Sequence, residues 1–307
     1  MQAMLLAAGL GTRLRPYTLV RPKPLFPVLN RPLLLILIDI LRESGCTKTV
    51  VNGHHLGERI KEAVNCLPDV HFQDEPEILG TGGGIRQALA KFSQEPILVM
   101  NGDIFHTVDL AELYRRHVNS GNLVTLALHD YPRFNSVAVC NDRIVSFRAA
   151  GEVSANRLLA FTGIHVVEPD VVKQIPAGRF YHIIDLYENL ARQGKQVGFV
   201  RVDDSFWSDI GTPEDYLKLH KELLTGIGVK NASLPVAQGQ WLIDKQARIA
   251  NDAVLSGWGC IGKADIGSGA TLRNCVIWDD ADVPDGSRLE NMIISDQAGS
   301  KNPVLRK

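Results

Sequence analysis

Between Ile249 and Leu289, apolar residues recur at steps of five or six: Ile249, Leu255, Ile261, Ile266, Leu272, Ile277, Val283 and Leu289. Few folds accept that period. An amphipathic helix needs apolar residues every three or four positions, and a half-buried strand every second one. A step near six, with glycine after the apolar residue in Ile261-Gly262 and Ile266-Gly267, fits a parallel β-helix. There each side of a coil points one apolar residue inward and turns on small residues. This reading assigns 227–295 to a small β-helix and 296–307 to an aperiodic tail.

The rest of the chain has another texture. Ala3–Ala8, Thr49–Asn52, Val70–Phe72 and Pro96–Met100 read as strands, and 33–44, Leu56–Leu67, Gly82–Phe92 and Leu110–Val118 as helices. Such alternation implies an α/β domain over 1–226, with a mostly parallel, Rossmann-like sheet and helices on both faces. Closer-spaced strands at 137–167 suggest an antiparallel insertion, which makes the sheet mixed. Cutting the chain near Gly228 is expected to leave a folded, soluble catalytic domain with altered association.

Charge excludes several partners. Lys and Arg total 33 against 34 Asp and Glu, a balance that offers no field for nucleic acid or an anionic membrane. The run Leu33 to Ile38 stops at Asp39, far short of the ~20 residues of a membrane helix. Residues 1–10 lack the basic region of a secretory signal. Five scattered cysteines without a CxxC pair read as reduced, buried thiols of a cytoplasmic protein and give no zinc pattern.

One local asymmetry stands out. Residues 1–38 carry Arg13, Arg15, Arg21, Lys23 and Arg31 and no acidic side chain. The stretch Gly9-Leu10-Gly11-Thr12-Arg13 follows the first strand directly. Glycines let backbone N–H groups approach a phosphate, and arginine forks match its oxygens. A dinucleotide fingerprint is excluded because position 14 is Leu and Pro16 follows. A P-loop is excluded because Lys23 lies between Pro22 and Pro24 rather than in G-K-[ST]. Proline on both sides holds that lysine beside the glycine loop.

The stretch LAAGLGTRLRPYTLVRPKPLFPV at 6–28 resembles the signature of the sugar-1-phosphate nucleotidylyltransferases. The resemblance continues through Leu79-Gly80-Thr81-Gly82-Gly83, Asn101-Gly102-Asp103 and Trp207-Ser208-Asp209-Ile210-Gly211-Thr212. The repeat at 227–295 is similar to the left-handed hexapeptide β-helix carried by many family members. The resemblance implies a reaction of NTP with a sugar 1-phosphate, giving NDP-sugar and pyrophosphate with Mg²⁺. It implies Arg13 and Lys23 as catalytic cations, and Ala8, Gly9, Gly11, Thr12, Glu75, Gly80 and Gly82 as nucleotide contacts. It places Asn101, Gly163 and Arg179 at the sugar phosphate, and Asp103 and Asp209 at the metal.

A carboxylate at Glu75 accepts from uracil N3–H or from guanine N1–H and N2–H₂ alike, and glycines beside it would leave room for a flat ring. The form Thr81-Gly82-Gly83-Gly84-Ile85 is most similar to the N-acetylmuramate 1-phosphate uridylyltransferases, which favours UTP. GTP, as in mannose-1-phosphate guanylyltransferases, is the alternative. Val145 to Ala150 lacks the family's Glu-Lys-Pro lysine, so Arg148, Arg157 or Arg179 would supply that charge. A silent nucleotide-sensing homologue is disfavoured, because Arg13, Lys23, Asp103 and Asp209 are all present. An acyltransferase role for the β-helix lacks a histidine beyond His220 to act as base.

His54 and His55 read as a turn before a helix, and Thr212 as the N-cap of a helix with Pro213 at its first position. Trp241, Trp258 and Trp278 read as rung caps or subunit contacts. Exposed tryptophans and an open β-helix edge favour a homo-oligomer.

Overall fold

The structure, a computed structural model, describes residues 1–147, 157–226 and 240–295. Arg148, the stretch 227–239 and the tail 296–307 lie outside the described residues. Contacts divide the chain into two compact units. One joins Met1–Gly9 to Leu37–Trp207; the other joins Leu10–Ile36 to Ser208–Lys307.

The first unit is built on a nine-stranded sheet. Its order is 70–74, 48–53, 2–6, 97–101, 157–167, 124–129, 197–201, 143–146, 137–140. The first four strands run parallel. Strand Arg157–Val167 pairs antiparallel with both 97–101 and 124–129, and 137–140 and 143–146 form an antiparallel hairpin. The expected insertion is thus present and the sheet is mixed.

Burial on both faces explains why these strands read as unbroken apolar runs. Met4, Val99 and Leu126 point into a core shared with Ile85 of helix Gly80–Ala88 and with Ile183, Leu186 and Leu190 of helix Ile183–Arg192. Leu98 and Met100 point the other way and are fully buried too. Helix Leu110–Ser120 covers that opposite face, where its His117 hydrogen-bonds Thr125 at 2.9 Å. Asp109 caps this helix by accepting from the Glu112 N–H at 2.9 Å. Among the described residues, no helix is long and apolar enough to cross a membrane.

In the second unit, all eight residues of the near-six repeat lie in or against one interior cluster, Ile249 and Leu255 partly buried and the other six buried. Parallel pairing stacks Val254 on Thr271 on Arg288, and Arg248 on Asp265 on Asp282. One coil is therefore 17 residues, or three sides of nearly six. One corner stacks Gly257, Asn274 and Asn291, all at positive φ, and Asn274 donates to Asn291 at 2.9 Å. Asparagine is the side chain that best tolerates this left-handed backbone.

The tryptophan expectation needs correction. Trp278 is fully buried and Trp258 nearly so. They are inside the protomer and give no argument for self-association. The cysteine expectation holds for Cys46, Cys260 and Cys275, but Cys66 is exposed and Cys140 half-buried.

Candidate active site

Parallel strands end at one edge of the first unit, and the register decides what meets there. Leu6 pairs with Asn101, and Asn52 with Gln73. The turn after the first strand, Asn52, Glu75 and Asn101-Gly102-Asp103 therefore all emerge at the carboxyl edge, where open α/β sheets bind ligands. Gly102 donates to the Leu6 carbonyl at 2.7 Å, and a Cβ at Gly102 would come within 2.8 Å of that oxygen. Asp103, half-buried, follows this crossing point. Gly163 lies at an irregularity in the pairing of 157–167 with 124–129, with φ +82°. A Cβ there would stand 2.6 Å from Asn101 Nδ2, so the structure brings Asn101 and Gly163 together. Gly9 has open space where a Cβ would be, and Ala8 is half-buried beside it.

Glu75 is 1% exposed, which rules out a solvated surface glutamate. Asn52 bridges the edge: its Oδ1 accepts from the Ala7 N–H at 2.7 Å and its Nδ2 donates to Glu75 Oε1 at 2.7 Å. Gln73 Nε2 donates to the same oxygen at 3.3 Å and to the Gly84 carbonyl at 3.0 Å. Leu79 N–H reaches Glu75 Oε2 at 3.4 Å. This network ties the first strand's exit to the start of helix Gly80–Ala88. A Cβ at Gly84 would press on Glu75 Oε1 at 2.7 Å.

The glycines of that helix have a different reason from space for a ring. Cβ atoms at Gly80 and Gly82 would meet the Tyr181 carbonyl at 2.8 and 3.0 Å, and one at Gly83 the Arg179 carbonyl at 2.6 Å. They admit the 179–181 backbone, and Gly82 N–H donates to Tyr181 O at 2.8 Å. Arg179 thus sits beside the helix start, with an exposed side chain. Arg157 is held by an ion pair with Asp130. His54 Nδ1 donates to the Glu75 carbonyl at 2.7 Å, in the expected turn before helix Gly57–Val64.

The second unit holds the basic loop. Gly11 adopts φ +61° at the start of the single 3₁₀ turn Thr12–Leu14, and a Cβ there would lie 2.8 Å from Thr18 Cγ2. Position 11 therefore requires glycine for both conformation and space. Thr12 is exposed at the head of the same turn. Lys23 opens the third 3₁₀ turn of this segment, Lys23–Leu25, and is 7% exposed. Its Nζ lies 3.6 Å from Asp209 Oδ1. Arg13, with a side chain 64% exposed, reaches the other Asp209 oxygen at 4.0 Å. Gly211 leaves room for this group, since a Cβ there would stand 2.7 Å from Asp209 Oδ2 and 3.1 Å from Arg13.

Thr212 caps helix Pro213–Leu224 as expected, accepting from the Asp215 N–H at 3.2 Å. Three of the expected residues, Arg13, Lys23 and Asp209, are thus gathered. The motif reading missed Asn52, Gln73 and Gly84; a polar Asn ending the apolar run Thr49-Val50-Val51 was the available signal.

A hard cation binds through one or two carboxylates, substrate phosphates and water; Asp103 offers a carboxylate in the first unit and Asp209 one in the second. Among the described residues no group of three or more His, Cys, Asp or Glu could hold a metal alone.

A family model described as nucleotidyl transferase matches residues 2–226. The chain is 32% identical over 292 residues to a mannose-1-phosphate guanylyltransferase of Mycobacterium tuberculosis, a match covering 90% of this chain and 79% of that protein. It is 29% identical over 246 residues to an N-acetylmuramate alpha-1-phosphate uridylyltransferase of Caulobacter vibrioides, covering 72% and 96%. Among solved structures, HddC from Yersinia pseudotuberculosis complexed with GMP-PN superposes with TM-score 0.60 at 22% identity, covering 72% of this chain and 99% of that one. That likeness concerns the fold.

Proposed function

The chain belongs to the nucleotidyl transferase family, and we propose that it transfers uridylyl from UTP to a sugar 1-phosphate with Mg²⁺, releasing pyrophosphate. As a sugar-1-phosphate nucleotidylyltransferase it must bring two polyanions into contact. The sugar phosphate oxygen attacks the α-phosphorus, the bond from that phosphorus to the bridging oxygen breaks, and pyrophosphate leaves with the electron pair. Little covalent work falls to the protein, so catalysis is positioning and charge neutralisation.

The observation that carries this reading is the gathering of Arg13 and Lys23 within 4.0 Å of Asp209 in the loop that leaves the first strand. In the proposal, Gly9 and Gly11 offer backbone donors to the triphosphate. Arg13, exposed in the same loop, holds the departing pyrophosphate. Lys23 stands between the α-phosphate and the attacking phosphate. Asp103 and Asp209 would hold the divalent ion, which neutralises phosphate charge when bound. Asn101, Gly163 and Arg179 face the sugar phosphate, and the Glu75 network orients helix Gly80–Ala88 beside the base. The catalytic residues all fall within 1–226, and a cytoplasmic setting suits the free thiols.

UTP rests on Thr81-Gly82-Gly83-Gly84-Ile85. GTP is the second reading, favoured by the guanylyltransferase match that extends over 90% of the chain and so includes the β-helix. A pyrophosphate-release screen of four NTPs against a panel of sugar 1-phosphates decides. Turnover with UTP is expected; turnover with GTP alone replaces the first reading by the second, and no release from any pair leaves a binding module. EDTA is expected to abolish release, and Asp103→Asn or Asp209→Asn to lower it by several orders of magnitude with an unchanged circular dichroism spectrum. Normal release in EDTA would sink the metal assignment.

A further inference from the structure

Trp278 lies one residue past the strand Thr271–Ile277. The preceding Ile277 points into the β-helix interior, so Trp278 points outward, where a β-helix meets solvent. It is nevertheless 0% exposed. What covers it is the signature segment around Lys23. The Arg21 guanidinium stands over the indole at 4.7 Å. Phe26 packs against it edge-on at 4.7 Å, and Tyr17 tilts against it at 5.9 Å. The indole N–H donates to Tyr216 Oη at 3.1 Å, and the Tyr216 hydroxyl donates to the Pro27 carbonyl. Residues on both sides of Lys23 are therefore docked on one side chain. Two further bonds fasten the same segment to the coils: Tyr17 Oη to the Ile293 carbonyl at 3.2 Å, and Asn30 Nδ2 to the Ile261 carbonyl at 2.8 Å.

We propose that Trp278 is a positioning residue for nucleotidyl transfer: the β-helix supplies the platform that holds the Lys23–Leu25 turn, and hence the Lys23 ammonium, in register with Asp209. Proline on either side of Lys23 limits the turn's own dihedrals but anchors it to nothing. Arg21, Phe26 and the Tyr216 relay to Pro27 provide the anchor. Misplacing a charged group by about 1 Å costs on the order of a hundredfold in rate. On this account the outer face of the β-helix at Trp278 serves the reaction by positioning the lysine, and its interior does not.

The inference rests on the proposed reaction, and the test separates the two. It uses the full chain with Trp278→Leu, Trp278→Phe and Tyr216→Phe. Leu272→Ala, which trims the β-helix interior, is the control. Trp278→Leu is expected to lower kcat about ten- to a hundredfold with little change in KM for NTP. Trp278→Phe keeps a ring under Arg21 and should recover part of it. Leu272→Ala should lower Tm and leave kcat per folded enzyme unchanged. In the cycle with Lys23→Ala, the double variant should be no slower than Lys23→Ala alone, because the tryptophan acts through the lysine. Additive losses overturn the proposal.

A second readout does not depend on turnover. Hydrogen exchange at the Leu25 and Phe26 amides, bonded to Pro22 O and Lys23 O at 2.8 and 3.0 Å, should accelerate in Trp278→Leu and not in Leu272→Ala. Unchanged exchange there overturns the proposal even in an active enzyme. Wild-type protein that releases no pyrophosphate from any pair overturns the reaction instead, while exchange still decides whether Trp278 holds the turn. If the leucine variant does not fold, Tyr216→Phe, which keeps the ring and deletes the relay, is expected to show the same exchange and kcat effects.

Discussion

Lys23 is a cation buried within 3.6 Å of a carboxylate, between two prolines. Coulomb repulsion between two phosphates is greatest as they close to bonding distance, so a fixed ammonium there acts more in the transition state than in the ground state. Lys23→Ala is therefore expected to lower kcat about 10²–10³-fold, the scale of one lost charge-stabilising donor. KM for NTP should change much less. Lys23→Arg recovers part of the rate, because a planar fork does not reproduce a point charge. Steady-state kinetics of both variants checks this; an unchanged kcat with raised KM would reduce Lys23 to a binding residue. Gly11 and Lys23 were legible in the sequence because their local chemistry, glycine pair and proline clamp, is written in adjacent letters. Asn52 was not. Its partners are Ala7 and Glu75, 45 and 23 residues away, and no local pattern encodes such a bridge.

At the scale of elements, helix Gly80–Ala88 shows how much of a motif its own letters carry. Its glycines were visible, but the close approach of 179–181 that needs them depends on how a distant segment packs. The same helix hangs on a buried polar network, and networks of this kind are costly when broken. Asn52→Leu leaves the Ala7 N–H without its partner and takes from Glu75 its shortest bond, with the longer ones from Gln73 and Leu79 remaining. A buried group so orphaned costs about 1–3 kcal/mol, so the urea midpoint should fall clearly while the m-value stays constant. The β-helix was legible residue by residue, since its interior positions repeat along the chain. Its outer face was not: alternation marks Trp278 as solvent-facing, and it is buried by Arg21, Tyr17 and Phe26, the last 252 positions earlier in the chain.

Across the whole molecule, burial keeps several histidines neutral. Desolvation pushes His106 and His220 down to about 4 and His165 to about 3. His220 Nε2 accepts from the Leu29 N–H at 3.3 Å, a bond that protonation removes. Because the folded pKa lies below the unfolded value near 6.5, the unfolded chain binds more protons in the window between them. Stability is full above about pH 6.5 and is lost as pH falls toward 4. Tm should fall steadily across that window, and His165→Phe should flatten the slope; an identical slope in the variant would exclude His165 from the linkage. The fragment 1–226 tests a different large-scale property. It lacks Trp278 and so leaves Tyr17, Phe26 and Tyr216 without the indole they pack on. It should bind a hydrophobic dye and melt below the full chain; a melting curve matching the full chain would show that the segment stands unaided.

The packing of Phe26 on Trp278 also sets an order of events in time. A ribosome makes the signature loop long before its platform. At about 5–20 residues per second, the 241 residues from 37 to 277 keep the loop waiting on the order of 10–50 s. During that interval the sheet of the first unit can form while Arg21, Phe26 and Tyr17 have nothing to dock on. A chain abandoned before Trp278 would carry the basic residues of the signature without the surface that aligns them, so activity would report that translation had passed that residue.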